Sequence, residues 1–355
     1  MRTTVSYVSG AGAMARSALG RGVARLFRGA PAGRLAMLLL VVSILAAPAA
    51  IVSCSPAATP TATPVPTARP TPTPLATRYP VTVTDLLGRS VQVNARPTRI
   101  VTLQPTATET LYRVGGTAVG RDTSSKYPPE AQALPTVGGA YSPSMEVLAN
   151  LQPDLIIIEG LTQARLVDAL QKLGAPILVV RATSLDDVAR SLTLVGQVVD
   201  RTEAATRAVA EIKARVDAAK GQVAGTKKVL ILISDAERNI YAAKPESYPG
   251  AVAALLNLTN LAAGLPDSGP YPGFTRFSGE QALTANPDAV FTISPAPPPA
   301  PTLSSSLPRV PGYSGLEAVK AGRVKEVSPE LFLQASGPRI AEAVEELARL
   351  VREAN

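Results

Sequence analysis

The stretch SMEVLANLQPDLIII at residues 144–158 has a counterpart of the same spacing, SGEQALTANPDAVFTI, at residues 278–293. Each copy begins with a serine that can cap a helix and a glutamate in the first turn, and each reaches Pro-Asp after the same interval. An apolar run follows in both. This pattern predicts a short capped helix, a proline that ends it and a buried strand. Because the unit occurs twice, the sequence predicts two structurally related lobes.

Strands and helices are predicted to alternate around both copies. Alternating apolar and polar residues at 81–93 predict a β-hairpin, and residues 164–173 have the periodicity of an amphipathic helix. Apolar runs predict buried strands at 100–103, 154–158, 177–180, 229–233 and 289–293. The predicted fold class is therefore α/β, with two Rossmann-like lobes, each a parallel sheet flanked by helices.

A helical segment joins the two predicted lobes. Residues 185–223 contain no proline and carry apolar side chains at helical spacing. We expect a break near Asp200, then a helix of about 20 residues that bridges the lobes. Proline-rich residues 294–311 predict a mobile surface loop. The predicted organisation is a leader at 1–53, a lipidated cysteine and Pro/Thr-rich linker at 54–80, a first α/β lobe at 81–183, a helical segment at 184–223 and a second α/β lobe at 224–355.

The net charge of +8 is concentrated near the amino terminus. Six arginines and no acidic residue precede residue 54, and without those six the 35 basic residues become 29 against 27 acidic ones. The remaining net charge of +2 is spread without a basic run, so we expect no nucleic-acid partner. The arginines are followed by an apolar stretch at 35–52, an order that is typical of an export signal.

The apolar stretch ends in Ile51-Val52-Ser53-Cys54, which resembles the bacterial lipobox. The resemblance implies removal of the leader and acylation of Cys54, which supplies the multiple acyl chains that stable membrane attachment requires. An uncleaved transmembrane anchor followed by an incidental cysteine is the alternative. In both cases we expect an exported protein held at the outer face of the cytoplasmic membrane, periplasmic or cell-surface, on an extended Pro/Thr linker.

The residue inventory excludes several kinds of active site. The chain has no histidine and a single cysteine, which rules out His-based triads, His-containing zinc sites and intramolecular disulfides. No nucleophile, base and orienting group can be assembled from the sequence. We therefore expect no catalytic residues, no enzyme activity, and no resident metal or cofactor.

Ordered motifs from residue 81 to residue 351 resemble one class of ABC-transporter substrate-binding proteins, those with a helical backbone that bind ferric siderophores, cobalamin or haem. The matching stretches are residues 83–85 with 88–89, 97–103, 108–115, 127–128, 137–139, 144–158, 278–293 and 316–327. The resemblance implies a ligand cleft between two lobes bridged by one long helix, and a permease dimer with its ATPase as partner. It also implies that Glu146 and Glu280 dock on the permease. The alternative is that each glutamate only complements its own helix dipole.

A cleft of this kind lies at the carboxyl ends of the strands, where loops of the two lobes face one another. The candidate cleft residues are Thr106, Lys126, Tyr127, Tyr141, Arg181, Arg238, Tyr241, Tyr248, Tyr271 and Arg276. Tyrosines among cationic side chains can stack on a metal chelate and pair with its carboxylates or catecholates. We therefore expect capture of an iron-siderophore, cobalamin, haem or similar chelate for an importer. A surface-attached sensor or adhesion lipoprotein on the same fold is the alternative.

Overall fold

A computed structural model describes residues 78–296, 299–334 and 336–354 of the chain. The predicted leader, Cys54 and nearly all of the predicted linker lie outside these ranges. The residues from Arg78 onward belong to one compact unit. None of the helices in the described ranges combines the length and hydropathy needed to span a bilayer.

The first half of the described chain forms a hairpin and a four-stranded parallel sheet. The elements are β1 Val81–Thr84, β2 Ser90–Val93, β3 Ile100–Thr102, α1 Pro105–Arg113, β4 Gly120–Arg121, β5 Gly138–Gly139, β6 Ser142–Pro143, α2 Met145–Asn150, β7 Leu155–Glu159, α3 Val167–Gln171 and β8 Ile177–Val180. The sheet order is β4-β3-β7-β8, and the hairpin is antiparallel. The predicted hairpin and strands are confirmed. The helix predicted at 164–173 instead begins as a 3₁₀ turn, Ala164–Leu166, before α3.

Two helices, α4 Leu185–Val198 and α5 Thr202–Lys220, connect the halves. The predicted break is confirmed, because Asp200 between them has a positive φ of 56°. Helix α5 has 19 residues, which gives it a length of about 28 Å. Gly196 has a packing role inside α4. A Cβ there would lie 2.5 Å from the Cβ of Ala205 on α5, so only glycine permits this close helix crossing.

The second half contains a six-stranded sheet. Its elements are β9 Lys228–Ser234, β10 Ile240–Ala243, α6 Tyr248–Leu255, β11 Thr259–Asn260, β12 Phe274–Arg276, α7 Gly279–Ala285, β13 Ala289–Ile293, α8 Leu303–Ser306, α9 Glu317–Lys320, β14 Val324–Glu326 and α10 Ile340–Glu353. Strands β11, β9, β13 and β14 are parallel. Strand β10 pairs antiparallel with β9, and β12 pairs antiparallel with β10. The order β11-β9-β13-β14 repeats β4-β3-β7-β8, so the two lobes are built on the same plan.

Residues 294–311 are not simply a surface loop, contrary to the sequence prediction. Helix α8 and a 3₁₀ turn, Leu307–Arg309, lie in the described part of this segment. Leu303 and Leu307 are buried there and belong to an apolar cluster of the second lobe that includes Leu230 and Val290 of the sheet. Two buried leucines therefore fix a segment whose proline content suggested mobility.

The duplicated sequence unit has the same surroundings in both lobes. Ser144 and Ser278 cap α2 and α7 by accepting hydrogen bonds from Val147 N and Gln281 N. The aspartate of each Pro-Asp pair then binds the backbone at the entrance to the neighbouring central strand. Asp154 accepts from Thr98 N at 2.7 Å and Arg99 N at 2.8 Å, and Asp288 accepts from Lys228 N at 2.7 Å. These bonds attach the start of β7 and of β13 to the entrance of the neighbouring strand.

Each sheet has one face in a private core and the other in a core that both lobes share. The shared core takes Ile157 and Val180 from the first sheet and Ile231 and Phe291 from the second, with α1, α4, α5, α6 and α10 between or around them. Alternate strand residues, such as Ile156 and Val290, fill the private cores. Burial on both faces explains the uninterrupted apolar strands in the sequence.

Replacing Asp154 by alanine is expected to lower the free energy of unfolding by about 1 to 2 kcal/mol, because a partly exposed carboxylate loses several hydrogen bonds with backbone and side-chain donors. Asp288→Ala is expected to cost less, since Asp288 accepts one such bond from Lys228 N. Urea unfolding measures both values. Asp168→Ala, at an exposed first-turn position of α3, is the control, and an Asp154 effect no larger than this control would contradict the strand-entry role.

Candidate functional site

The carboxyl ends of the strands border two cavities. One, which we call the interlobe groove, has a volume of about 410 Å³ and is lined by both halves of the chain. Its walls are Pro105, Glu109, Ser124, Lys126, Tyr127, Pro129 and Gln132 from the first half and Pro329, Glu330, Gln334 and Arg339 from the second. Lys126 and Tyr127, two of the predicted cleft residues, therefore lie where the lobes meet.

A buried ion pair joins the lobes at the base of this groove. The guanidinium of Arg339 donates from Nε and Nη2 to the carboxylate of Glu109 at 3.0 to 3.2 Å, and the two side chains are 10% and 2% exposed. Its Nη1 donates to Glu330 at 2.8 Å. The ring of Tyr127 lies 4.2 Å from the same guanidinium, which is cation–π geometry. Arg339 thus connects the two lobes through Glu109 and Tyr127, while Glu330 holds it from its own half.

The electrostatics of this cluster are set by burial and by an excess of carboxylates. Burial raises the pKa of Glu109 to about 7, outweighing the hydrogen bonds from Arg339. The carboxylates of Glu342 and Glu330 raise it further. Next to Glu109, the Thr106 hydroxyl donates to Ser336 O at 2.6 Å, so this predicted cleft residue is buried in the lobe contact.

The second cavity lies in the second lobe, at the carboxyl ends of β9 and β13, and we call it the arginine cavity. Its volume is about 730 Å³, within the range of small-molecule sites. The lining residues are Ser234, Asp235, Ala236, Arg238, Ile240, Tyr271, Ser294, Pro295, Ala296, Pro301, Leu303, Ser305, Ser306, Arg309 and Val310. Two predicted cleft residues, Arg238 and Tyr271, are among them. Arg309, which the sequence analysis did not single out, joins them from the segment predicted to be a loop.

A hydrogen-bonded support lies behind this cavity. The hydroxyl of Tyr241 donates to Asp235 Oδ2 at 2.9 Å, and Asn239 donates to the same carboxylate from its backbone N and its Nδ2, each at 2.8 Å. Desolvation acts to raise the pKa of Asp235, but these hydrogen bonds outweigh it and hold the pKa below its ordinary value. Buried Tyr241 meets Tyr271 edge to face, with ring centroids 5.6 Å apart. Tyr241 therefore positions Tyr271 rather than lining the cavity itself.

The other predicted cleft residues lie elsewhere. Tyr248 is buried at the start of α6, where desolvation raises its pKa. Arg181 donates to Leu86 O at 2.9 Å in the hairpin, and Arg276 donates to Asn239 Oδ1 at 2.5 Å. Tyr141 is 58% exposed and lines neither of the two cavities. The structure thus brings four predicted residues to the cavities, Lys126, Tyr127, Arg238 and Tyr271.

The two predicted docking glutamates occupy equivalent positions. Glu146 is exposed in the first turn of α2, and Glu280 is exposed in the first turn of α7. Neither forms an ion pair with a residue in the described ranges. Within the same ranges no group of three or more Asp, Glu, His or Cys side chains is arranged to hold a metal ion.

Comparison with known proteins identifies the family of this chain. The sequence profile of the periplasmic binding proteins matches residues 100–331, most of the two lobes. The chain belongs to this family. Family membership implies a location outside the cytoplasm and an α/β fold of two lobes, as the sequence resemblance predicted.

Individual relatives match this chain over most of their length. An uncharacterized ABC transporter substrate-binding lipoprotein of Bacillus subtilis, YvrC, is 27% identical over 77% of this chain and 86% of its own. A cobalamin-binding protein of Halobacterium salinarum is also 27% identical, over 77% of this chain and 74% of its own. The solved periplasmic haem-binding protein RhuT of Roseiflexus is 25% identical, with a TM-score of 0.59 over 72% of this chain and 98% of that one. These relatives are named as substrate- or ligand-binding proteins.

Replacing Glu109 by glutamine is expected to flatten the pH dependence of stability. With a folded pKa raised from 4.5 to about 7, Glu109 contributes stability that is full below pH 4.5 and lost as pH rises through 7. The wild-type free energy of unfolding should therefore fall by up to about 3 kcal/mol across this window through this residue. Urea unfolding at a series of pH values measures the change.

The matched control for this variant is Glu203→Gln, which removes an exposed carboxylate of α5. That control should keep the wild-type pH profile. A Glu109→Gln profile parallel to both would show that the buried carboxyl does not titrate in this range.

Proposed function

We propose that this protein captures a metal chelate outside the cytoplasm and presents it to an ABC importer. The observation that carries the proposal is the pair of matched α/β lobes with two cavities along the carboxyl edges of their sheets, one of them between the lobes. The family and the naming of its relatives for substrate, cobalamin and haem binding support this assignment. The cavities offer tyrosine rings and cationic side chains, which suit a chelate with aromatic or anionic parts.

The packing between the lobes supports a mechanism in which the lobes move little when a solute binds. The shared core along α5 holds the lobes in one relation, because separating them would expose apolar surface. The contact of Glu109 with Arg339 adds a specific point of attachment. A solute would therefore enter a largely preformed site. Its release would require the permease to act on both lobes at once, because neither lobe moves freely against the other.

The proposed contacts with the permease are Glu146 and Glu280. Their helices are equivalent elements of the two lobes, so the two carboxylates are presented in the same local geometry, one to each half of a dimeric permease. Exposed carboxylates of this kind can form charge-assisted hydrogen bonds with arginines of a partner. We also propose attachment to the membrane through acylated Cys54, with the Pro/Thr linker giving a reach of about 80 Å.

The double variant Glu146→Arg/Glu280→Arg is expected to abolish stimulation of the permease ATPase in proteoliposomes, because two docking carboxylates become repulsive cations. Solute affinity should stay within about twofold of wild type, since both residues lie outside the two cavities. The control is Glu203→Arg/Glu317→Arg, which makes the same charge change at exposed positions. Equal stimulation by both double variants would contradict the docking role. An ATPase that the wild-type protein does not stimulate would favour a sensor.

Cys54→Ser is expected to move the protein from the membrane fraction to the soluble fraction, because serine cannot carry the thioether-linked lipid. Cell fractionation followed by mass measurement of the purified amino terminus checks both the anchor and the cleavage. Retention of the variant in the membrane with residues 1–53 still attached would instead identify an uncleaved transmembrane anchor.

A further inference from the structure

Two arginines in the arginine cavity have no partner among the described residues. Arg238 follows β9 in the turn, and Arg309 ends the 3₁₀ turn after α8, so the two come from separate segments of the second lobe. Both side chains are exposed, and neither guanidinium forms an ion pair or a hydrogen bond within the described ranges. Arg276 nearby is instead held by a hydrogen bond to Asn239.

The lining of this cavity carries two arginines and one carboxylate, which leaves it a net positive charge. Asp235 is the one acidic residue of its lining, and its carboxylate already accepts hydrogen bonds from Asn239 and Tyr241. The remaining lining side chains carry no charge. A concave wall with two free guanidinium groups concentrates positive potential and attracts anions.

Hydroxyl groups and an aromatic ring complete this wall. Ser294 Oγ accepts a hydrogen bond from Leu303 N at 2.7 Å, which leaves its own hydrogen free to donate. Tyr271 is held edge to face between Tyr241 and Phe274, and its ring lines the cavity. The surface therefore combines donors for anionic oxygens with one fixed apolar face.

We propose that the arginine cavity selects an anionic chelate, whose ionised carboxylate or catecholate oxygens bind Arg238 and Arg309 while its apolar part lies against Tyr271. The inference rests on the proposed function and narrows the class of solute captured. Arginine suits this task because its planar fork binds such oxygens in pairs and stays charged at any physiological pH. A chelate with no net negative charge would gain much less from the two guanidinium groups.

Binding measurements with four probes test this selectivity. The full-length protein, purified in detergent, is titrated with haemin, which carries two carboxylates, with a ferric tricatecholate, with a ferric trihydroxamate and with cyanocobalamin. The variant Arg238→Gln/Arg309→Gln is compared with Arg96→Gln/Arg190→Gln, a control pair of exposed arginines outside the cavity lining. Thermal unfolding of each protein checks that the substitutions leave the fold intact.

Haemin, the ferric tricatecholate or both are expected to bind wild type at least tenfold more tightly than the trihydroxamate and cyanocobalamin, which carry no net charge. The affinity of the anionic probes should fall about tenfold or more in the cavity variant but not in the control. Their affinity should also fall as salt is added to wild type, which requires no variant. Preference between haemin and the tricatecholate tells carboxylate from catecholate recognition. Tighter binding of cyanocobalamin or the trihydroxamate, or equal affinity in the two double variants, would overturn the selectivity and leave chelate capture standing. Failure of all four probes would contradict the proposed function itself.

Discussion

Each of the two sheets buries one face against the same group of helices, and this shared core determines how the rest of the protein is arranged. Ile157 from one sheet and Ile231 from the other belong to a single apolar cluster built around α4, α5 and α10. Because apolar burial is worth roughly 25 cal/mol per Å², separating the lobes would cost far more than any one contact across them. The relation between the two sheets is therefore a property of the core.

Polar contacts between the lobes add specific points of attachment to this apolar packing. The ion pair of Glu109 with Arg339 and the hydrogen bond of Thr106 with Ser336 O lie beside the interlobe groove and tie α1 to the start of α10. Desolvation offsets much of the attraction within a buried ion pair, so the pair is weak evidence for added net stability. In this protein the two contacts fix the groove whose wall includes Lys126 and Tyr127.

Local signals in the sequence predict most of the framework and less of the site. The caps at Ser144 and Ser278, the terminating prolines and the apolar strands act over a few residues, so their consequences can be deduced from spacing alone. The partnership of Glu109 with Arg339 joins positions 230 residues apart, and Glu109 alone suggests only an acid near a helix start.

Burial explains the remaining differences between sequence and site. Tyr241 and Tyr248 match the composition of a binding loop, but the packing of β10 and α6 places both inside the protein. Arg309 lies in a segment whose prolines suggested a loop, and only the burial of Leu303 and Leu307 brings it to the cavity.

The segment from Leu303 to Val310 has two roles, because its leucines pack in an apolar cluster of the second lobe while Ser305, Ser306 and Arg309 line the cavity. Its polar positions can mutate without disturbing either sheet, as long as Leu303 and Leu307 are retained. If the arginine cavity binds the solute as proposed, substitutions at these few neighbouring positions would alter solute preference while the two sheets stay intact.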